Sequence, residues 1–279
     1  MSTRLLGTVR ASVRDFRWMF RQASVRSTYL YWTVHADRIE AYSLSPVAKR
    51  RSYSVFNRFF LSDIDLKHIS AINLRVDAAR VLHVLKIMKQ INPTAPVRIE
   101  IFGDISRHGE IQNPRLRLQR DLRWQAYVDT VEIPEVLNET RDRFTDYGYL
   151  DVQQTDPYEV TIRTPVSEID NLISIMDDKY EKGLYAIDVR DGQLGLSIPE
   201  EYGLGSAVFR PYWVQGPDMT KYFTEEFSRI FNLLKDDIVM YADPDGEDLA
   251  VVHTERKGAT IRHAIESIGV DGKLPLRDQ

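Results

Sequence analysis

The chain contains no cysteine. That excludes a disulfide framework, a thiol nucleophile and a thiolate metal site within one copy. No apolar run approaches the roughly 18 residues of a membrane span, and the basic stretch at the start, MSTRLLGTVRASVRDF, lacks the apolar core of a signal peptide. The expectation is an intracellular protein (cytoplasm and nucleoid, or nucleus) in a reducing compartment, with no membrane partner. Histidine is sparse, and none of the six has the HExxH spacing of a zinc hydrolase. Gly203-Leu-Gly205 lacks the third glycine and the following helix of a nucleotide loop. Asp243-Pro-Asp-Gly-Glu-Asp248 carries its glycine at the fourth position where a calcium loop needs it at the sixth, so a hairpin turn explains it better. Asn138-Glu-Thr140 is a glycosylation sequon without a secretory route. No catalytic residue, metal ligand or cofactor is expected, and the chain reads as a binding protein.

What is present is enough apolar material for real cores, 43% of 279 residues, at a length that favours two domains. The net charge of −4 conceals an asymmetry. Residues 1–130 hold 22 Lys+Arg against 11 Asp+Glu, and residues 131–279 hold the remaining 15 against 30, which gives +11 and −15. Such a split points to a polyanion partner for the first half, to complementarity between copies, or simply to two solvated surfaces.

The halves read as one pattern written twice. A strand at 5–10 leads into a helix at 11–27, followed by strands at 29–35 and 38–43. The second half repeats this with a strand at 159–163, a helix at 165–180 with Thr164 as N-cap and Pro165 at N1, and strands at 184–189 and 193–198 joined by the Asp191-Gly192 hairpin signal. A second helix recurs in each half, at 76–90 after a strand at 71–74, and at 224–235 after a strand at 220–223. Strands follow each, at 97–102 in one half and at 238–242 and 249–254 in the other. Val13-Arg-Asp-Phe16 aligns with Val166-Ser-Glu-Ile169, and Tyr29-Leu-Tyr-Trp32 with Leu184-Tyr-Ala-Ile187. The expected layout is an N-terminal domain at 1–129, a charged, turn-rich connector at 130–157, a C-terminal domain at 158–268 and a tail at 269–279.

Strands and helices in this order, duplicated and joined through Val131-Glu-Ile-Pro-Glu135, resemble the PCNA-type DNA sliding clamps of archaea, eukaryotes and viruses. The likeness covers residues 5–268. Its better-matching pieces are Ala71-Ile-Asn-Leu-Arg-Val-Asp-Ala-Ala-Arg-Val-Leu82 and Tyr127-Val-Asp-Thr-Val-Glu-Ile-Pro134, while 184–197 and 237–268 match in pattern. The stretches between Phe60 and Ala71 and between Trp213 and Met219 are shorter than in the family, so one strand per domain is expected to be reduced or absent. The family's Ala-Pro ending is replaced by Ala264-Ile-Glu-Ser-Ile268, and the third helix lacks the family's basic face. The resemblance implies an α+β fold of two clamp domains, each of antiparallel sheets with two helices, assembled as a homotrimeric ring around double-stranded DNA. It also implies DNA polymerase and other clamp-binding-peptide proteins as clients, and a clamp loader. Client peptides would dock in an apolar pocket that maps to Leu44, Val47, Val131, Ile133, Pro244, Ala264 and Ile265. At each of these positions simple packing is the competing explanation.

The residues add a reading of their own. Taken as one helix, Arg10, Arg14, Arg17 and Arg21 fall within about 60° of each other at 100° per residue, while Val13, Phe16, Phe20 and Ala23 cluster on another face. A solvated face usually mixes acid and base, whereas arginines in register suit phosphates without reading sequence. The second helix buries Val81, Val84, Leu85 and Met88 and offers Arg80, His83, Lys86 and Lys89. The third buries Ile169, Leu172, Ile173 and Met176 behind a polar, slightly acidic face, and the fourth offers Arg229 and Lys235. DNA contact is therefore expected mainly from the first domain. The alternatives are a monomeric or hetero-ring checkpoint-type clamp, an accessory factor binding open DNA, and an enzyme with an acidic site in the second half. Strands at 122–128 and 206–213 are the expected edges for head-to-tail assembly.

Overall fold

The computed structural model describes residues 3–24, 29–45, 50–67, 69–106, 111–120, 124–131, 159–177, 185–198, 205–209, 211–223, 230–231, 234, 237–242, 244, 249–256 and 258–267. The first half runs β1 (Arg4–Ser12), α1 (Val13–Ser24), β2 (Tyr29–His35), β3 (Arg38–Ser45), β4 (Arg50–Asn57), β5 (Asp63–Leu66), β6 (Ala71–Asp77), α2 (Ala78–Ile91), β7 (Pro96–Ile105), β8 (Ile111–Arg120) and β9 (Trp124–Val131). The second runs β10 (Val160–Pro165), α3 (Val166–Asp177), β11 (Tyr185–Arg190), β12 (Gln193–Ile198), β13 (Gly205–Phe209), β14 (Trp213–Gln215), β15 (Met219–Phe223), β16 (Asp237–Ala242), β17 (Leu249–Arg256) and β18 (Ala259–Glu266). Of the fourth expected helix only residues 230–231 are described as helical.

The chain divides into two compact units: Met1–Leu44, Ser52–Leu150 and Glu255–Ile261 in one, and Ser45–Arg51, Asp151–Thr254 and Arg262–Gln279 in the other. In the first unit the strands follow the order β5-β1-β7-β8-β9-β6-β2-β3-β4. The turn before β18 belongs to this unit too, where the Asn57 amide donates to the Gly258 carbonyl at 3.0 Å. The second unit has the order β14-β10-β16-β17-β18 and a separate sheet β13-β12-β11-β15. The β1, β2 and β10 ladders are antiparallel, as hairpin and Greek-key connections require.

Each core follows from alternation. Val9 and Ala11 of β1, Ile99 and Ile101 of β7, and Leu116 and Leu118 of β8 point to the side where α1 and α2 lie, and all are buried. There they meet Val13, Phe16, Phe20, Val81 and Leu85, the residues the helical periodicity assigned to the inner faces. Val84 is partly buried against the same core. Phe20 packs on the fully buried Trp32 with ring centroids 4.9 Å apart. Each such side chain contributes roughly 1.5–3 kcal/mol by leaving water. The second core gathers Val160, Ile162, Ile169, Ile173, Tyr185, Phe223, Phe231 and Ile238.

Several boundaries differ from expectation, each for a local reason. α1 starts at Val13 because Ser12 caps it: the Ser12 hydroxyl accepts from the Asp15 amide at 3.0 Å and donates to the Asp15 carboxylate at 2.6 Å. β6 continues to Asp77, whose carboxylate caps α2 by accepting from the Arg80 amide at 2.9 Å. α3 starts at Val166, so Pro165 closes β10 opposite Asp237 rather than opening the helix. The Thr164 hydroxyl donates to the Pro165 carbonyl at 3.4 Å instead of capping. The Asp191-Gly192 turn is as expected, with φ of 50° and 70°, the left-handed pair of a type I′ hairpin. The two shortened strands are present but small, four residues in β5 and three in β14. The expected edge at 206–213 is split, since Trp213 opens β14 and pairs with β10.

Candidate nucleic-acid interface

α1 is placed by its neighbours. Its first two free amides are taken up by the loop after α2, Val13 N donating to the Ala95 carbonyl and Arg14 N to the Pro93 carbonyl, both at 3.0 Å. With Val13, Phe16, Met19, Phe20 and Ala23 inward, Arg14, Arg17 and Arg21 share the opposite face. At 100° per residue they span about 60°.

The three are not equivalent. Arg14 is well exposed, its Nε 3.7 Å from Asp15. Arg21 is exposed, and among the described residues neither it nor Arg17 has a carboxylate within ion-pair distance. Arg17 is half-buried, and its Nε is buried without a hydrogen-bond acceptor among the described residues. Burial first, and then the like charge of Arg21, pushes the Arg17 guanidinium below its ordinary pKa. A cation that is partly desolvated, unpaired and beside another cation is relieved by an anion.

Arg10 does not belong to this face. It lies in β1, alternating with the buried Val9 and Ala11, and so points away from the helices. There it is cross-strand from Arg98 and Asp63, and its Nε is 3.8 Å from the Asp63 carboxylate. The helical wheel placed it wrongly because the helical period was carried back into a residue that the strand expected at 5–10 already held.

On α2, Arg80, His83, Lys86 and Lys89 are all exposed, but they spread over about 180° of the helix and do not form one stripe. Arg80 is also held by Asp77 at 3.3 Å. Arg229 lies outside the described residues. α3 occupies in its half the place of α1, since Val166 and Ile169 are buried at its start as Val13 and Phe16 are in α1. By that register Ser167, Asp170 and Ser174 stand where α1 has Arg14, Arg17 and Arg21.

Of the residues assigned to a peptide pocket, Pro244 and Ile265 are those whose side chains the structure describes. Ile265 is buried in the second core, which removes it from any surface pocket. Val131 is strand rather than connector, paired with Arg75 at the end of β9. Leu44 and Ala264 have strand backbone in β3 and β18, Pro244 is half-buried, and Val47 and Ile133 lie outside the described residues.

The open edges are clearer. β9 pairs with β8 along residues 124–129 but meets β6 only at Thr130 and Val131. β13 ends its sheet. Each edge carries an exposed apolar side chain, Tyr127 at 64% and Val208 at 63%. Sequence reasoning missed the side-chain row behind β9. Glu100 of β7 is buried and pairs with Arg98 at 3.5 Å and, more closely, with Arg117 of β8, whose guanidinium lies 4.9 Å from the Phe102 ring. The alternation of charge in Pro96–Ile105 was its only signal.

No family model and no curated protein matches the sequence. Solved structures do match. The A. fulgidus PCNA bound to the C-terminal region of FEN-1 superposes with a TM-score of 0.67 at 10% identity, over 95% of this chain and 99% of that one. The proliferating cellular nuclear antigen of Entamoeba histolytica gives 0.68 at 8%, over 95% and 100%. A DNA polymerase III beta subunit homologue from Eubacterium rectale gives 0.69 at 12%, over 95% of this chain and 66% of that one.

The chain has the sliding-clamp fold.

In the terms of that fold, the sheets are mainly antiparallel and α1 and α3 are the matching first helices. At these identities the likeness speaks for the fold alone. Among the described residues no helix is long and apolar enough to cross a membrane.

Proposed function

We propose that the chain is the subunit of a DNA sliding clamp, a processivity factor that surrounds duplex DNA and holds replication proteins to it. The observation that carries this is the face of Arg14, Arg17 and Arg21 in a clamp fold, with the Arg17 Nε buried and without an acceptor among the described residues. Three permanently charged, planar donors on a rigid helix suit phosphates of any sequence, and contacts of that kind permit sliding. Arg80, His83, Lys86 and Lys89 of α2 and Arg229 supply more diffuse charge. Arg10, turned to the other sheet face, is left out.

Assembly as a homotrimer is supported by the open edges. In the first unit β4 is flanked by β18. Its counterpart in the second half is β13 and the counterpart of β18 is β9, so β9 of one copy would pair with β13 of the next. Exposed strand edges require such a partner or a cover, and the charges of +11 and −15 in the two halves favour head-to-tail order. A hetero-ring is the second reading, because a complex of PCNA2 with PCNA3 from Sulfolobus tokodaii also shares the fold, with a TM-score of 0.67. Clients would dock near the start of the connector, with Leu44, Val47, Val131, Ile133, Pro244 and Ala264 as the candidate lining. The C-terminal region of FEN-1 on the A. fulgidus clamp is the precedent for a peptide of that kind. A loader would open the ring, and the protein itself would turn over nothing.

The test is topological. Wild-type protein loaded on a closed circular plasmid should stay bound through gel filtration and leave when one restriction cut linearises the plasmid. Equal retention on both forms would mean an open-groove DNA binder and would sink the clamp reading, even if the arginines prove to bind phosphate.

A further inference from the structure

With Val13 aligned to Val166, Arg10 of β1 falls at the same place as Arg163 of β10. Both point outward, Arg10 between the buried Val9 and Ala11 and Arg163 between the buried Ile162 and Thr164. Each faces a short strand at an end of the sheet order, β5 for Arg10 and β14 for Arg163. The register sets Arg10 opposite Asp63, and its Nε lies 3.8 Å from that carboxylate. Arg163 stands opposite Trp213, with its guanidinium 5.8 Å from the indole centroid. Among the described residues no carboxylate lies within ion-pair distance of Arg163. The same arginine thus has an acid in one half and an aromatic ring in the other.

The two open edges are finished differently. Asp63 and Asp65 line the outward side of β5, and charge of that kind keeps an exposed edge from pairing. β14 carries none. It reads Trp213-Val214-Gln215, with Trp213 44% exposed, and Tyr212 just before it is 69% exposed. The strand is also held in place, since Gly216 at its end comes so close to Glu159 that a Cβ there would stand 2.3 Å from the carbonyl oxygen. β14 therefore combines a fixed, open ladder edge with apolar surface and a cation that lacks an acid.

We propose that β14 is a docking edge for an extended peptide of a partner protein, which adds to the sheet as a further strand and alternates acidic with apolar residues. Main-chain hydrogen bonds along an open edge give affinity, and alternate side chains give specificity. A carboxylate on the outward side of the added strand, opposite or diagonal to Trp213, reaches the guanidinium that leans over the indole and does for Arg163 what Asp63 does for Arg10. The apolar neighbour in the peptide then falls on the other side, beside Val214, which packs against the second core. β5 itself has this alternation, Asp63-Ile64-Asp65-Leu66, but Arg10 and Lys67 already engage its carboxylates, so a second copy is the poorer occupant. Nucleic acid is poorer as well, because a half with a charge of −15 repels a polyanion, whereas one arginine accommodates one carboxylate. The site needs neither α1 nor DNA and stands apart from the clamp reading.

The probe is a labelled peptide of about eight residues, alternating aspartate with isoleucine, titrated against the full chain by fluorescence anisotropy at low salt. A peptide alternating lysine with isoleucine is the control. The aspartate peptide is expected to bind and the lysine peptide is not. Arg163→Gln and Trp213→Ala should each weaken binding about tenfold, the effect of one charge-assisted hydrogen bond, with the far-UV spectrum unchanged. Arg163→Glu should transfer the preference to the lysine peptide. Methylating alternate backbone nitrogens of the peptide should abolish binding for one set and leave it intact for the other, because only one set faces the edge. Equal binding of the two peptides overturns the proposal, as does an Arg163→Glu protein that keeps the aspartate peptide, or equal tolerance of both methylated sets. Absence of binding by the aspartate peptide up to about 1 mM overturns it too. A lower mass by light scattering in Trp213→Ala would give the edge to a second copy, and loss of single-stranded oligonucleotide binding in that variant would give it to nucleic acid; either result overturns the proposal.

Discussion

Replacing Arg14, Arg17 and Arg21 together by alanine separates folding from DNA binding, because the three side chains contribute little to the first. Arg14 is mostly exposed and its 3.7 Å contact with Asp15 is a surface pair, a class that contributes about 0–1 kcal/mol. Arg17 has no acceptor to lose at Nε and carries an uncompensated desolvation. Alanine is the better helix former by a few tenths of a kcal/mol per position, which offsets part of the lost packing of the arginine stems. Stability should therefore stay within about 1 kcal/mol of wild type. Binding should respond more strongly. Each phosphate neutralised adds about 0.9 to the slope of log affinity against log salt, so three contacts amount to about 2.7. Between roughly 50 and 200 mM salt, wild type would then lose about fortyfold more affinity than the variant. The measurement is fluorescence anisotropy of a labelled blunt duplex over a salt series, with circular dichroism and light scattering as controls for fold and mass. Equal slopes for two folded proteins would refute the assignment of this face to phosphate.

Four further outcomes follow from the same geometry. Arg21→Gln removes the like charge that lowers the Arg17 pKa, so its melting temperature should hold or rise slightly while duplex affinity falls; a lower melting temperature with unchanged affinity would contradict this. Glu100→Ala leaves Arg117 and Arg98 without their buried carboxylate and should cost about 2–3 kcal/mol in urea unfolding, below the figure for a fully buried pair because both arginines are partly exposed. Tyr127→Asp and Val208→Asp place charge on the two open edges and should lower the mass seen by light scattering without shifting the melt of the separated chain. Gly216→Ala should cost about 2–3 kcal/mol, since φ is 121° and the new Cβ would stand 2.3 Å from the Glu159 carbonyl, and an unchanged denaturation midpoint would show that the turn can move aside.

Periodicity was enough to find α1, α2 and α3 and the strands beside them. Residues 29–35 and 193–198 match β2 and β12, and the residues expected on the inner face of α1 are all buried. The alignment of Val13 with Val166 holds, as each opens its helix from a buried position. What the sequence hid was set by partners distant in the chain. β4, β5 and β14 carry little clean alternation and exist because neighbouring strands supply their ladders. Arg10 was misread because the helical wheel was extended back into the strand expected at 5–10, and pairing with β7 and β5 decides which face it takes. Ile265 was placed at a surface for want of the same information, its burial depending on the second core as a whole.

The divergence between α1 and α3 bears on how such a protein would hold DNA. The two helices share their inward residues, Val13 and Phe16 against Val166 and Ile169, because both must fill a core under a sheet. Their outward residues are free of that constraint, and there the copies part: arginine in all three places of α1, and serine, aspartate and serine in α3. If packing alone governed these helices, the outer positions would drift toward mixed charge in both. On the proposed reading, concentrating the cations on one of the two halves would keep the total number of phosphate contacts small. A sliding protein needs that, because each added contact steepens the salt dependence and deepens the wells through which it must move. On the proposed reading the acidic second half would repel the duplex from its own helix and attract the basic first half of a neighbouring copy, so one charge asymmetry would serve both a loose grip and a preferred order of assembly.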